Sequence, residues 1–119
     1  MLLKHVNEEI SKLIPYGEKF AIAFSGGGDS TALVHALKDH PQSEFVYIVD
    51  HNLRSGSHVE AQSAKYFAES FGYDVEVLKW KHGSVKTGVQ EKARIARYGL
   101  MGNKCREEGI KYLLTAHNF

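Results

Sequence analysis

Four short apolar segments alternate along the chain with four segments whose apolar residues recur at helical spacing. The predicted strands span residues 20–24, 44–50, 74–80 and 110–116, and the cores of the first two are wholly apolar. Such strands are buried on both sides, which is typical of a parallel sheet covered by helices on both faces. The sequence therefore predicts an α/β fold with a parallel sheet of about four strands. Functional groups are expected at the carboxyl ends of those strands.

The four helical segments have recognisable ends. The first ends at Pro15, the second begins at Asp29 or Ser30 and runs to about residue 40, and the third spans 58–71. The fourth and longest is predicted over 89–108, with Gly109 ending it. Its inward face is predicted to comprise Val89, Ala93, Ala96, Leu100 and Cys105.

Composition narrows the class of protein. At 119 residues and 43% hydrophobic content, the chain fits one domain. Its longest apolar runs are five residues, which predicts no membrane span. Glu8 and Glu9 are acidic residues at positions where a secretory signal peptide would be basic or apolar, so no such signal is predicted. A single cysteine excludes an internal disulfide and a Cys-x-x-Cys metal site. A cytoplasmic protein is predicted, with its oligomeric state open and a homodimer among the alternatives.

Charge is distributed unevenly. Residues 1–78 carry 6 Lys/Arg and 11 Asp/Glu, whereas residues 79–119 carry 9 and 3. A basic block of this kind is either a surface that faces phosphate groups or an ordinary solvated helix face. The sequence alone leaves both interpretations open.

The segment Ser25-Gly26-Gly27-Gly28-Asp29-Ser30 joins a predicted buried strand to a helix N-terminus. Free backbone N–H groups and the positive helix dipole favour an anion there, and glycines let the backbone approach a phosphate closely. Asp29 is predicted either to cap the helix or to hold Mg²⁺. The segment matches neither the Walker A pattern nor G-x-G-x-x-G. We interpret it as a phosphate cradle.

This glycine segment resembles the PP-loop signature of ATP pyrophosphatases, and three further segments resemble the tRNA(Ile)-lysidine synthetases among them. These are Val49–Arg54 with Ser57, Glu60 and Ala61; Gln90–Tyr98; and Leu113–Asn118. Together the segments are distributed over residues 25–118, which is nearly the whole chain. The paired acids that follow the last segment in the family are missing, since the chain ends at Phe119. The resemblance therefore implies the N-terminal part of a catalytic domain, at residues 1–119, without the C-terminal tRNA-binding domains.

The resemblance implies an ATP-dependent ligase that adenylylates the wobble cytidine of isoleucine tRNA and joins it to free lysine, with ATP and Mg²⁺ as cofactors. The residues it assigns to ATP are Ser25, Gly26, Gly27, Gly28, Asp29, Ser30, Asp50 and His51. Those assigned to tRNA or lysine are Arg54, Glu91, Arg94, Arg97 and His117. Asp29, Ser30 and Arg97 are the candidate catalytic residues, with Asp29 as the metal ligand.

Each assignment has a structural alternative at the level of sequence. Asp50 can begin an Asx turn, Arg54 can be an ordinary exposed loop residue, and Glu91, Arg94 and Arg97 can form a salt-bridge ladder on one helix face. Two other functions also stay open. One is another PP-loop enzyme, such as a tRNA thiolase or an amide-forming synthetase; the other is a nucleotide-binding module without chemistry. The chain alone is expected to bind ATP weakly and to make no lysidine.

Overall fold

A computed structural model of the chain describes residues 2–26 and 28–115. Its helices and strands alternate as the sequence predicts. In chain order they are α1 (Leu2–Leu13), β1 (Phe20–Ala23), α2 (Gly28–Ala36), β2 (Ser43–Asp50), α3 (Ser57–Glu69), β3 (Asp74–Lys79), α4 (Val89–Glu108) and β4 (Tyr112–Leu114). No described helix is both long and apolar enough to cross a bilayer.

The four strands form one sheet in the order β3-β2-β1-β4, and every neighbouring pair is parallel. This confirms the predicted fold class. The chain adds β2 and β3 on one side of β1 and then crosses to add β4 on the other side. The strand order thus reverses between β1 and β4, and in open α/β sheets ligands bind outside the carboxyl ends of the strands at such a point.

Strand residues alternate between two apolar cores. Phe20, Ile22 and Val46 pack with helices α1, α2 and α3 on one face of the sheet. Ala21 and Tyr47, the intervening residues, pack with α4 on the other. Both cores contain fully buried side chains, so the two-sided burial predicted for β1 and β2 is confirmed.

Several predicted boundaries are wrong by a few residues. Strand β1 ends at Ala23, and β4 is shorter within the described residues than predicted. Helix α2 begins at Gly28, so Ser30 lies inside the first turn and does not cap it. The fourth helix begins and ends where the sequence predicts. At its C-terminal end Gly109 adopts φ +69°, a left-handed conformation that ends helices.

Candidate functional site

A cavity of about 370 Å³ opens at the carboxyl end of the sheet, beside the point where the strand order reverses. Its size is within the range of small-molecule sites. Strands β1 and β2, residues that follow strands β1, β2 and β4, and one face of α4 form its wall. The lining residues are Ala23, Phe24, Ser25, Ser30, Tyr47, Val49, His51, Leu53, Val89, Gln90, Ala93, Arg94, Arg97, Met101 and Thr115.

Two serines of the glycine segment, Ser25 and Ser30, line this cavity. Gly26 has φ +88°, in the left-handed region that glycine adopts readily. The Ser25 hydroxyl lies 3.0 Å from the Ser30 hydroxyl, and the Ser25 backbone N–H donates to Ser30 Oγ at 3.3 Å. These contacts close the loop onto the first turn of α2, whose amino end supplies N–H groups for an anion.

The remaining members of the predicted cradle are only partly described. Gly27 lies outside the described residues, and so does His117. Gly28 and Asp29 lie in the first turn of α2, but their side chains are not described. The predicted role of Asp29 in holding Mg²⁺ therefore stays a prediction. Among the described residues, no three His, Cys, Asp or Glu side chains are grouped as a metal site.

Helix α4 faces the cavity with a stripe of residues three and four apart: Gln90, Ala93, Arg94, Arg97 and Met101. Arg94 and Arg97 lie on this face, as predicted. Glu91 is exposed and does not line the cavity, and its predicted contact with tRNA or lysine stays a prediction. The adjacent Gln90 lies there instead. Met101 is 1% exposed and marks the side of α4 that faces the sheet. Residues 90, 94 and 97 lie three or four positions apart on the same side of the helix as Met101, so this side faces the cavity.

Arg97 is the less exposed of the two arginines that line the cavity. Its Nε is buried and has no hydrogen-bond partner among the described residues. Its guanidinium lies over the Tyr98 ring, with its central carbon 5.2 Å from the ring centroid, and Arg94 lies 5.9 Å from the same centroid. An unpaired buried N–H of a charged group is costly, so an anion in the cavity would relieve that cost.

Asp50 and His51, the predicted pair at the end of β2, point in opposite directions because strand residues alternate. His51 lines the cavity, and its Nδ1 accepts the Leu53 N–H at 3.1 Å, which places the proton of a neutral ring on Nε2. Asp50 does not line it. Its Oδ1 accepts the Asn52 N–H at 3.0 Å, which forms an Asx turn. The Asx turn is the structural alternative predicted for Asp50, and its predicted contact with the nucleotide stays a prediction.

Asp50 is 2% exposed, and burial alone would raise the pKa of its carboxyl. Hydrogen bonds from Ser57 and from the Asn52 backbone, together with the charges of Lys79 and His58, outweigh that effect and lower the pKa. A carboxyl with a lowered pKa stabilises the fold above its ordinary pKa. That stability is lost as the pH falls through the lowered value.

We expect Asp50→Asn to reduce the free energy of unfolding at pH 7 by about 1.5–3 kcal/mol, the worth of hydrogen bonds to a charged group. The difference from the parent should shrink as the pH falls below the ordinary carboxyl pKa of about 4, and it should vanish below the lowered value, where the folded parent's carboxyl is also neutral. Urea unfolding at several pH values measures it. A difference that does not change with pH would contradict the role given to the charge.

Arg54 is not free to face the cavity. Its Nη2 donates to both carboxylate oxygens of Glu60 at 2.6 Å. This hydrogen bond and the charge of Glu60 raise the pKa of Arg54, and the hydrogen bond from Arg54 lowers the pKa of Glu60. Arg54 lies outside the cavity lining, so its predicted contact with phosphate or tRNA stays a prediction. Any such contact would have to compete with Glu60.

Tyr47 is a cavity-lining residue that the motifs do not single out. It is fully buried, and its hydroxyl has no hydrogen-bond partner among the described residues. Burial, together with the nearby Cys105 and the charges of Glu108, Glu76 and Asp74, raises the pKa of this hydroxyl. The group therefore stays protonated at neutral pH.

Removing that hydroxyl is expected to stabilise the protein. An unsatisfied buried polar group costs about 1–3 kcal/mol, so Tyr47→Phe should leave the free energy of unfolding unchanged or raise it by about that amount. The larger truncation Tyr47→Leu, which leaves a cavity, is the comparison and should destabilise. Chemical denaturation measures both. A loss of stability in Tyr47→Phe would mean that the hydroxyl has a stabilising partner.

The cavity combines an apolar slot with polar ends. Ala23, Phe24, Val49 and Leu53 offer a surface suited to a flat ring. The serine hydroxyls, the amino end of α2 and the arginines of α4 offer donors to a chain of phosphates. The fold and site therefore define an α/β protein with a cavity at the carboxyl end of its parallel sheet, lined by apolar side chains and by donors suited to an anion.

Comparison with known proteins agrees with this class. The family model described as "PP-loop domain" matches residues 2–119, so the chain belongs to the PP-loop family. The U34-tRNA thiolase NcsA of Methanococcus maripaludis, solved with its [4Fe-4S] cluster, superposes with a TM-score of 0.78 at 19% identity. That superposition covers 98% of this chain and 45% of the thiolase, and it shows a shared fold.

Two curated relatives of the chain carry the same name. The tRNA(Ile)-lysidine synthase of Rickettsia bellii is 38% identical over 124 aligned positions, covering 99% of this chain and 29% of that protein. The tRNA(Ile)-lysidine synthase of Wolbachia pipientis is 35% identical over 109 positions, covering 87% of this chain and 25% of that protein. The chain thus spans 25–29% of the length of these two relatives.

Proposed function

We propose that the chain is the ATP-binding part of a ligase that forms lysidine on isoleucine tRNA. In the first step, the C2 oxygen of the wobble cytidine attacks the α-phosphorus of ATP, and pyrophosphate leaves. In the second step, an amino group of free lysine attacks C2, AMP leaves with the former C2 oxygen, and the nitrogen loses a proton. The cavity that joins the glycine segment to Arg94 and Arg97 carries this proposal, with the curated relatives in support.

The protein's part in this reaction is positioning and neutralisation of charge. N–H groups at the amino end of α2 hold phosphate oxygens, and the Ser25 and Ser30 hydroxyls donate to them. The Arg97 guanidinium binds the departing pyrophosphate. Mg²⁺ would supply further positive charge to the phosphates. It commonly uses one or two carboxylates plus phosphate oxygens, which suits a single acid such as Asp29.

No described thiol lines the cavity, which bears on the thiolase alternative. Cys105 is 8% exposed and packs with Met101 and Ile110 in the core beneath α4. Burial raises the pKa of its thiol, so it is a poor nucleophile. Residues described here offer no cysteine for sulfur transfer or for a cluster at this site.

Two proteins test the proposal: the 119-residue chain, and the chain extended by the remaining part of the Rickettsia bellii relative. The chain alone is expected to bind ATP and to incorporate no labelled lysine. The extended protein is expected to release pyrophosphate only with isoleucine tRNA, and to transfer lysine to it. A requirement for a sulfur donor or for ammonia would favour another PP-loop enzyme. ATP binding by the extended protein without turnover would favour a non-catalytic module.

A further inference from the structure

The basic side chains of the described residues fall into two groups by their partners. Most of those outside residues 79–97 lie within 4 Å of an acid, as the pairs Lys19–Glu44, Lys104–Glu108 and Lys111–Glu18 show. Within 79–97, none of the six does so among the described residues: Lys79, Lys81, Lys86, Lys92, Arg94 and Arg97. The basic half of the sequence therefore contains lysines paired with acids, Lys104 and Lys111, and a group within 79–97 that has no acid within 4 Å among the described residues.

The unpaired cations share one end of the fold. Lys79 is the last residue of β3, Lys81 and Lys86 lie in the loop that follows, and Lys92 lies in the first turn of α4. All four are exposed, and we call them the basic rim. The rim lies at the carboxyl end of the sheet, where the cavity also opens, and Arg94 and Arg97 continue its charge into the cavity.

The loop that carries the rim is held in place. His82 Nε2 donates to the His51 carbonyl oxygen at 3.0 Å, and its Nδ1 lies 2.6 Å from the Gly83 carbonyl oxygen. The His82 ring also packs on Trp80, with ring centroids 4.0 Å apart. Because His51 lines the cavity, these contacts fix the rim relative to the site. A surface already ordered loses less entropy when it binds a partner.

We propose that the basic rim binds the sugar–phosphate backbone of the tRNA loop beside the nucleotide that enters the cavity. This inference rests on the proposed function and names the surface that function requires. Like charges without partners repel one another, and a polyanion relieves that repulsion while its counterions are released. An anionic membrane is less suited, because the loop's aromatic residue, Trp80, is half-buried against His82 and is not free to insert.

The test compares two double variants that each remove two positive charges. Lys81→Gln with Lys86→Gln neutralises the rim, and Lys19→Gln with Lys111→Gln removes two exposed lysines that directly precede β1 and β4, at the opposite end of the sheet. Fluorescence anisotropy with isoleucine tRNA at several salt concentrations gives affinity and salt dependence. Calorimetry with ATP and Mg²⁺ is run on the same proteins.

For the rim variant we expect the affinity for tRNA to be about 2- to 30-fold lower. The plot of log association constant against log salt concentration should be less steep, its negative slope reduced in magnitude by roughly 1.4–1.8. ATP affinity should not change, and the opposite-end variant should bind tRNA like the parent. Equal losses in both variants, or no loss in the rim variant, would overturn the rim while leaving ATP-dependent tRNA modification standing. A 119-residue parent that binds no tRNA would also overturn the rim, whereas the proposed function would still be decided by the lysine-transfer assay on the extended protein. Rim-dependent binding to phosphatidylserine vesicles but not to tRNA would assign the rim to membranes.

Discussion

Gly26→Val is expected to weaken ATP binding at least about tenfold with only a modest loss of stability. Gly26 has φ +88°, which a β-branched residue adopts at a cost of about 1–2 kcal/mol. No protein atom lies within 4 Å of the position a Cβ would take, so no clash adds to that cost. Open space at this point of the loop is where we expect a phosphate.

The added side chain competes with the nucleotide in two ways. It occupies the space beside the loop, and it pushes the backbone away from the conformation that presents N–H groups. Losing one charge-assisted hydrogen bond costs about 1.5–3 kcal/mol, so ATP affinity should fall at least about tenfold.

Gly83→Val is the matched control, since Gly83 is exposed, has no positive φ and also has no neighbour within 4 Å. It should bind ATP and unfold like the parent. Calorimetry and urea denaturation provide the two measurements. If Gly26→Val binds ATP as tightly as the parent, the glycine segment is a structural turn and not a phosphate cradle.

The order of elements was predictable because its signals are local. Period-2 and period-3.6 apolar patterns mark strands and helices, and Gly109 marks the end of α4. The limits of α2 were less predictable, because Ser30 looks like a helix cap in sequence. In the structure its hydroxyl contacts Ser25 across the loop, a contact that depends on how Gly26 turns the chain.

Which side chains share the cavity was predictable only in part. The pattern of α4 identifies Arg94 and Arg97, but spacing from Arg94 allows both Gln90 and Glu91 on its face. The depth of Met101 in the core decides between them, and depth depends on how α4 lies against Tyr47 and Ala21. Asp50 raises the same difficulty, since a strand end can present a carboxylate to the ligand or to its own loop.

Arg97→Met is expected to weaken ATP binding roughly 10- to 150-fold, which corresponds to the loss of about 1.5–3 kcal/mol of charge-assisted hydrogen bonding. Arg97 lines the cavity, and its Nε is buried without a hydrogen-bond partner among the described residues. Methionine keeps a flexible side chain of comparable length but no charge. The variant's free energy of unfolding should equal or exceed the parent's, because an uncompensated buried group is removed.

Two further variants separate charge from geometry and position. Arg97→Lys keeps the charge but loses the guanidinium fork that binds two phosphate oxygens, so its ATP affinity should lie between that of the methionine variant and that of the parent. Arg106→Met removes a charge from an exposed position on the same helix, where the guanidinium donates a hydrogen bond to the Asn103 side chain. This control variant should bind ATP like the parent. Calorimetry with ATP and Mg²⁺ measures all three. If Arg97→Met is destabilised yet binds ATP like the parent, the guanidinium supports the fold, and the cavity must bind phosphate through the glycine segment alone.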